Sequence, residues 1–306
     1  MLIGLLAGVF WALDTVIIGT VIQVGNENLR EVLLNPIIAG GIHDIFAAVW
    51  IFMYLKCKNK LSSVYEKIKT KSGSVVILAA LLGGPIGMTC YVSAINHIGA
   101  GYTAVISSTF PAVGAVMAWL FLKEYMSIMQ IVGTVLCILG IMSMGYLPYI
   151  GISESVSLIG VLYAVLCCFS WASEAVICSW GMKNNVIDEE IALLIREWSS
   201  AIMYVILICS MFREELFFIY NNFEGTSFLY IFLASMFGIL SYLCYYRTIR
   251  NKGVCTGMVL DVTYSVWAII FSSFIFNSKT TVWGNILSVI IIIGSILSVK
   301  RNNINS

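Results

Sequence analysis

Phe169 to Cys178 reads F-S-W-A-S-E-A-V-I-C, and Phe10 to Gly19 near the start reads F-W-A-L-D-T-V-I-I-G. Each sets a Trp three residues before a carboxylate, Trp171 before Glu174 and Trp11 before Asp14, inside an apolar run long enough to cross a bilayer. Residues three apart share one helix face. A carboxylate turned toward lipid costs about 2.5–3.5 kcal/mol on insertion scales, so both faces are expected to look into protein. The two segments read as the halves of a binding site for a small cation.

The rest of the chain fits that setting. Of 306 residues, 60% are hydrophobic and 11% charged, whereas a soluble domain carries roughly a quarter charged residues. The composition is that of an all-α membrane protein with little mass outside the bilayer. Apolar stretches of about 20 residues, the length that crosses the hydrocarbon core, occur ten times. They run from about Leu2 to Gln23, Asn35 to Lys56, Ser74 to Asn96, Tyr102 to Lys123, Ser127 to Leu147, Val156 to Gly181, Glu190 to Met211, Ser227 to Ile249, Val254 to Asn277 and Thr281 to Val299. With the N-terminus inside, the cytoplasmic loops collect Lys56, Lys58, Lys60, Lys67, Lys69, Lys71, Lys123, Lys183, Arg247, Arg250, Lys252, Lys300 and Arg301. The outer loops hold Arg30, Arg213 and Lys279. The positive-inside rule then predicts both termini in the cytoplasm and a multi-pass protein of the cytoplasmic membrane. The first apolar run lacks a basic leader and a small-residue cleavage site, so it is expected to stay as a span.

The chain is also doubled. Ile86 to Ser107 aligns without a gap to Leu240 to Asp261, with Cys90/Cys244, Tyr91/Tyr245, Ile95/Ile249, Gly99/Gly253 and Val105/Val259 in register. The doubling pairs Trp11 with Trp171, Asp14 with Glu174, and His43-Asp44 with Arg196-Glu197. Five spans per half is odd, which predicts two five-helix units, residues 1–150 and 151–306, inverted in the membrane. Inverted repeats build secondary transporters with a site near mid-membrane.

Five acids lie within spans, Asp14, Asp44, Glu174, Glu197 and Asp261, with His43 and Arg196 beside them. The two adjacent dyads read either as ties between helices or as part of a site, each member with a partner on another helix. No Lys or Arg shares a helix face nearby in sequence with Asp14, Glu174 or Asp261, so their counter-charge is expected to be a substrate or a proton. Glu174, Asp14, Asp44 and Asp261 are the proton-coupling candidates. Aromatic residues accompany them: Asp261, Tyr264 and Trp267 recur every three residues, and Tyr242, Tyr245 and Tyr246 share a face. A quaternary ammonium has no N–H and binds through rings and charge, at about 0.5–2 kcal/mol per ring. Micromolar affinity needs about 8 kcal/mol, so a carboxylate must help, and Glu174 is the first choice.

Other features point to packing. Gly83-Gly84-Pro85-Ile86-Gly87 lacks the ending of a phosphate loop and reads as a helix break or close-packing point. Pro111 is expected to kink the fourth span, Gly4 and Gly8 to mark a helix contact, Tyr246 to sit in an interface belt and His97 to be solvated at a helix end. The nine cysteines show no metal-ligand or disulfide spacing. No nucleophile–base pair, cofactor motif or metal cluster suggests an enzyme, and a net charge of +1 argues against a nucleic-acid partner. The expected partners are a small cation, protons and the bilayer, with the protein a monomer or weak dimer.

Several segments together resemble the EamA-type branch of the drug/metabolite transporter superfamily, and within it the LicB-type choline transporters. They are L-L-A-G-V-F-W from Leu5, I-H-D from Ile42, G-P-I-G-M from Gly84, P-A-V-G-A-V-M-A-W-L-F-L-K-E from Pro111, W-A-S-E from Trp171, A-L-L-I-R from Ala192, S-Y-L-C-Y-Y from Ser241 and T-Y-S-V-W from Thr263. The resemblance implies proton-coupled choline uptake through an aromatic cage. Carried onto matching positions, the cage uses Trp11, Trp171, Tyr245 and Trp267 with Glu174 beside it. Tyr264, and Tyr91 as the repeat partner of Tyr245, complete the binding candidates. The chain departs from the family pattern in carrying acids at Asp14 and Asp261, which leaves room for a primary amine or polyamine; the superfamily resemblance also admits an exporter of amino acids or drugs on the same fold.

Overall fold

A computed structural model describes residues 1–24, 35–107, 109–146, 157–183, 186–221, 225–276 and 282–298. Every regular element among them is helical. The helices are α1 (Leu2–Val24), α2 (Pro36–Cys57), α3 (Leu61–Ile68), α4 (Lys71–Leu81), α5 (Thr89–Ser107), α6 (Phe110–Met117), α7 (Ile128–Tyr146), α8 (Leu158–Met182), α9 (Glu189–Met211), α10 (Arg213–Asn221), α11 (Gly225–Lys252), α12 (Val254–Asp261), α13 (Tyr264–Phe276) and α14 (Val282–Ser298). A π-helical segment, Leu82–Met88, joins α4 to α5, and another, Ala118–Leu122, extends α6.

Five helical stretches are long and apolar enough to cross a membrane: Ile37–Cys57, Lys71–Ala94, Leu158–Met182, Glu189–Met211 and Gly225–Lys252. The other predicted spans appear as shorter apolar helices. Outward-facing Phe121, Leu162, Phe169, Ile202, Ile206 and Phe274 are exposed, a surface that suits acyl chains and not water. Local chemistry sets the starts. Asn35 accepts a hydrogen bond from Ile37 N at 3.1 Å ahead of Pro36, Thr70 accepts from Gly73 N at 3.1 Å, and Asp188 accepts from Ile191 N at 2.8 Å, each satisfying an otherwise orphaned helix donor.

Three expectations change. The third and fourth stretches were separated near His97, but α5 runs through that point and ends at Ser107. Pro111 kinks nothing: it sits in the first turn of α6, where a missing N–H costs no hydrogen bond. The amphipathic α3 and α10 were not anticipated because they are too short for a span-length reading. Arg30, Lys279, Lys300 and Arg301 lie outside the described residues.

The chain breaks twice in the same way. Helix is interrupted between Ser107 and Phe110, where Thr109 lies in a turn, and again between Asp261 and Tyr264. These positions match under the offset that aligns Ile86–Ser107 with Leu240–Asp261. At each break a threonine closes the turn: Thr109 Oγ1 donates to Ile106 O at 2.7 Å and Thr263 Oγ1 to Leu260 O at 2.6 Å. Thr109 also meets Cys168 Sγ of α8 at 3.4 Å. Gly8 of α1 leaves Thr263 its place, since a Cβ there would stand 2.5 Å from Oγ1. Helix packing follows the same pattern: α1 lies on α11, α12 and α13, while α8 lies on α4, α5 and α6; α2 pairs with α9 and α7 with α14.

Basic residues gather at one end of the bundle. Glu190, at the start of α9, accepts from Tyr54 at 2.8 Å, Lys58 at 2.6 Å and Lys60 at 2.5 Å, and Lys60 also reaches Asp188 at 3.0 Å. Glu189 holds Arg247 at 3.0 Å and also pairs with Arg250. Hydrogen bonding to Glu190 holds the Lys58 and Lys60 ammonium groups above the ordinary lysine value. The ends of α2, α9 and α11 are thereby tied together.

Candidate functional site

Asp14, Asp44, Glu174, Arg196, Glu197 and Ser200, all buried, form one network with His43 and Tyr242. Arg196 of α9 donates from Nε to Glu174 Oε1 of α8 at 2.7 Å, from Nη1 to Glu197 Oε1 at 2.9 Å and from Nη2 to the Tyr242 hydroxyl of α11 at 2.9 Å. Its guanidinium also lies over the Tyr242 ring, 4.6 Å from the centroid. Nη1 is 3.8 Å from Asp44 Oδ2, which accepts from Ser200 Oγ at 2.5 Å. The imidazole of His43 continues the line, with Nδ1 3.2 Å from Asp44 Oδ1 and Nε2 3.3 Å from Asp14 Oδ1 of α1. Asp14, Asp44, Glu174, Arg196 and Glu197 are all buried. Four carboxyl groups thus share one guanidinium and one imidazole, an excess of acid that bound protons or a cation would relieve.

Glu174 therefore does not await a counter-charge, because Arg196 reaches it from the next helix. Sequence spacing showed the nearest neighbours on α8 and could not show a residue facing across from α9. The adjacent dyads also touch internally, Arg196 with Glu197 and His43 with Asp44, because long or planar side chains can bend toward a neighbour's carboxylate. Each dyad has partners on other helices as well.

The glycine-rich break fits against this network. Leu82–Met88 is π-helical, a form that leaves backbone groups outside the regular ladder. Gly83 O accepts the Trp171 indole N–H at 3.2 Å. A Cβ on Gly83 would overlap the Glu174 carboxylate, and one on Gly84 would overlap Ser200 Oγ. A Cβ on Gly87 would stand 2.9 Å from Trp171 Nε1. These glycines let the π segment approach α8 and α9 closely enough to seat Trp171 and Glu174.

Aromatic rings flank the Glu174–Arg196 pair on both sides. Trp11 meets Tyr242 edge-on with centroids 5.5 Å apart, and Tyr242 continues to Tyr245 at 6.3 Å and Tyr246 at 5.9 Å. Across the pair, Trp171 lies 5.2 Å from Tyr91 and 6.1 Å from Phe110. Trp11, Tyr91, Trp171, Tyr242, Tyr264 and Trp267 all keep part of their surface open. The Trp267 indole nitrogen is buried without a hydrogen-bond partner among the described residues. Tyr246 is no belt residue: it is fully buried, with its hydroxyl 3.1 Å from Cys178 Sγ. His97 is exposed, as expected, and bonds Ser93 O at 2.8 Å, but it lies inside α5 and not at a helix end.

Asp261 stands apart. It closes α12 at the second helix break, is part-buried, and has no hydrogen bond or ion pair among the described residues. Its backbone carbonyl and Tyr264 N each lie 3.1 Å from where a Cβ of Gly8 would stand, one turn before Trp11 on α1. Tyr242, Phe110 and Arg196 were not among the predicted site residues. Tyr242 was visible in the Tyr242/Tyr245/Tyr246 face, whereas no signal marked Phe110. A cavity of about 830 Å³ opens at the basic end, lined by Lys123, Lys183, Arg250 and Lys252 against Glu124 and Glu189. It touches none of the aromatic candidates, and its charge is the wrong sign for a cation.

A model of the EamA-like transporter family matches residues 1–146 and again residues 158–300. The chain is 31% identical over 194 residues to "Protein LicB" of Haemophilus influenzae. That stretch covers 63% of each protein, so the chain spans less than two thirds of this relative's length. A solved crystal structure of another protein superposes with a TM-score of 0.76 over 97% of this chain and 95% of its own, at 12% identity. That likeness is one of fold alone.

Proposed function

We propose a substrate and a mechanism on one premise: the chain belongs to the EamA-like transporter family. It is a multi-pass membrane transporter, and in our reading it imports choline, or a close quaternary amine, by alternating access. The ten apolar helices form two inverted five-helix units, and the Glu190 cluster marks the cytoplasmic end. Support comes from the two family matches, from the equivalent breaks at 107–110 and 261–264, and from the gathering of basic residues at one end.

The observation that carries the substrate class is the contrast between the buried acids. Asp14, Asp44, Glu174 and Glu197 each have a basic group within 4 Å, whereas Asp261 has none among the described residues and lies by the break beside α1. A methylated ammonium would rest on the rings of Trp11, Trp171, Tyr91, Tyr245, Tyr264 and Trp267, which need no hydrogen bond from it. Asp261 would supply charge and accept a hydrogen bond from the choline hydroxyl, and Glu174 would join when Arg196 swings toward Asp44. Rocking of one unit against the other would open this chamber to each side in turn. The buried acid excess supports proton coupling. A primary amine or polyamine is the second reading, favoured by the same free carboxylate, which can accept the N–H bonds that choline lacks.

Thermal melting of detergent-purified protein tests the substrate. A ligand at 100 times its Kd stabilises by about 2.7 kcal/mol, so choline is expected to raise the melting temperature by several degrees and amino acids are not. Trp171→Ala should keep the fold and lose the choline response. An undiminished response in that variant would remove the cage.

A further inference from the structure

The imidazole of His43 lies between two carboxylates, Nδ1 toward Asp44 and Nε2 toward Asp14. A neutral imidazole has one donor and one acceptor nitrogen. With a carboxylate at each nitrogen, a neutral ring would turn a lone pair on an acid oxygen. The triad is balanced only by one more proton, either as imidazolium or on a carboxyl group. The Asp14 side is close but poorly aligned: Asp14 Oδ1 and His43 Nε2 are both buried without a hydrogen bond among the described residues. One seat for that proton is therefore only partly made.

Three further elements face the triad. From α11 the facing residue is Gly238, where a Cβ would stand 3.1 Å from Nε2 and 3.5 Å from Asp14 Oδ2. From the π segment, Gly84 faces Asp44. From α9 come Ser200 and Arg196 on Asp44, with Glu197 held by Arg196. The other charged groups here are Asp14 on α1, Asp44 on α2 itself and, beyond Arg196, Glu174 on α8.

We propose that His43 is the proton-carrying site of this transporter, separate from the aromatic cation site, with its proton shared among the imidazole, Asp14 and Asp44. The inference rests on the reading of the chain as a proton-coupled cation transporter. A proton enters from water, occupies the Nε2–Asp14 contact, and leaves to water on the other side; no other reactant is consumed. When present, it ties α1 to α2. When absent, that contact loses its donor and α1 is released. Asp14 lies three residues from Trp11 on one helix face, so the proton state of His43 sets the position of a cage ring.

Two measurements test this. The chain has two histidines, so His97→Gln leaves His43 as the one imidazole for nitrogen-15 magnetic resonance without any substrate. Its protonation is expected to change between about pH 5 and pH 9; a ring locked in one state throughout would overturn the proposal. In proteoliposomes, His43→Gln should keep choline–choline exchange within a few-fold while losing the stimulation of net uptake by an inside-alkaline gradient. Retained stimulation would overturn it too, as would a wild-type protein that exchanges choline but ignores the gradient. A wild-type protein that neither binds nor exchanges choline would overturn the substrate, and the resonance measurement would then decide the proton site alone. It also decides if His43→Gln does not fold.

Discussion

Arg196→Met is expected to lower the melting temperature at neutral pH by roughly 10 °C, because it takes from several buried acids the one fixed cation they have among the described residues. Arg196 bonds Glu174 and Glu197 directly and lies 3.8 Å from Asp44. Removing one member of a buried pair costs about 3–5 kcal/mol, since the remaining charge keeps its desolvation cost and loses its partner. In domains of about 150–250 residues each kcal/mol moves the midpoint by about 2–4 °C, and the lower part of that range suits a chain of 306. Methionine keeps the apolar stem and fills much of the volume, so the loss is electrostatic. Acidification supplies protons in place of the lost cation, and part of the deficit should return between about pH 7.5 and pH 5. Melting curves of both proteins at the two pH values would show this. Equal midpoints at both would mean that the network carries little energy.

The second large effect has the opposite sign on stability. Asp261→Asn removes a carboxylate that has no partner among the described residues, so melting in the absence of ligand should stay level or rise. Cation binding should fall by about 30-fold or more, because losing one side of a buried charge pair costs roughly 2–5 kcal/mol. Sites kept for function commonly gain stability when neutralised. Calorimetric titration with choline, beside melting of the unliganded protein, separates the two effects. A variant that melts lower and binds normally would make Asp261 a structural residue.

The sequence made some of this visible and hid the rest for identifiable reasons. Hydropathy located the apolar runs, because lipid demands long ones, but the spans read as Tyr102 to Lys123 and Val254 to Asn277 ran through the two breaks, which the offset pairing Cys90 with Cys244 relates only once they are seen. Residues on one helix face were readable: Trp11 with Asp14, Trp171 with Glu174. Contacts across helices were not. Arg196 was seen beside Glu197, but its main partner Glu174 lies on another helix, and sequence spacing says nothing about which faces meet. Tyr246 looked like a belt residue because Arg247 follows it, yet it points inward to Cys178. The glycine-rich segment read as a break or a close-packing point; it stays helical as a π segment and packs closely, and that its bare α-carbons make room for Glu174, Ser200 and Trp171 needed the packed neighbours. Short amphipathic helices such as α3 escape a reading tuned to span length.

Purified protein in liposomes, given labelled choline and an inside-negative potential, tests the central idea of a cation carrier most directly. A potential of 100 mV is worth about 2.3 kcal/mol for one charge, close to 50-fold accumulation. The expected result is saturable uptake well above protein-free liposomes that collapses when the potential is removed. Choline at background level in vesicles where the same protein moves an amino acid would contradict the account.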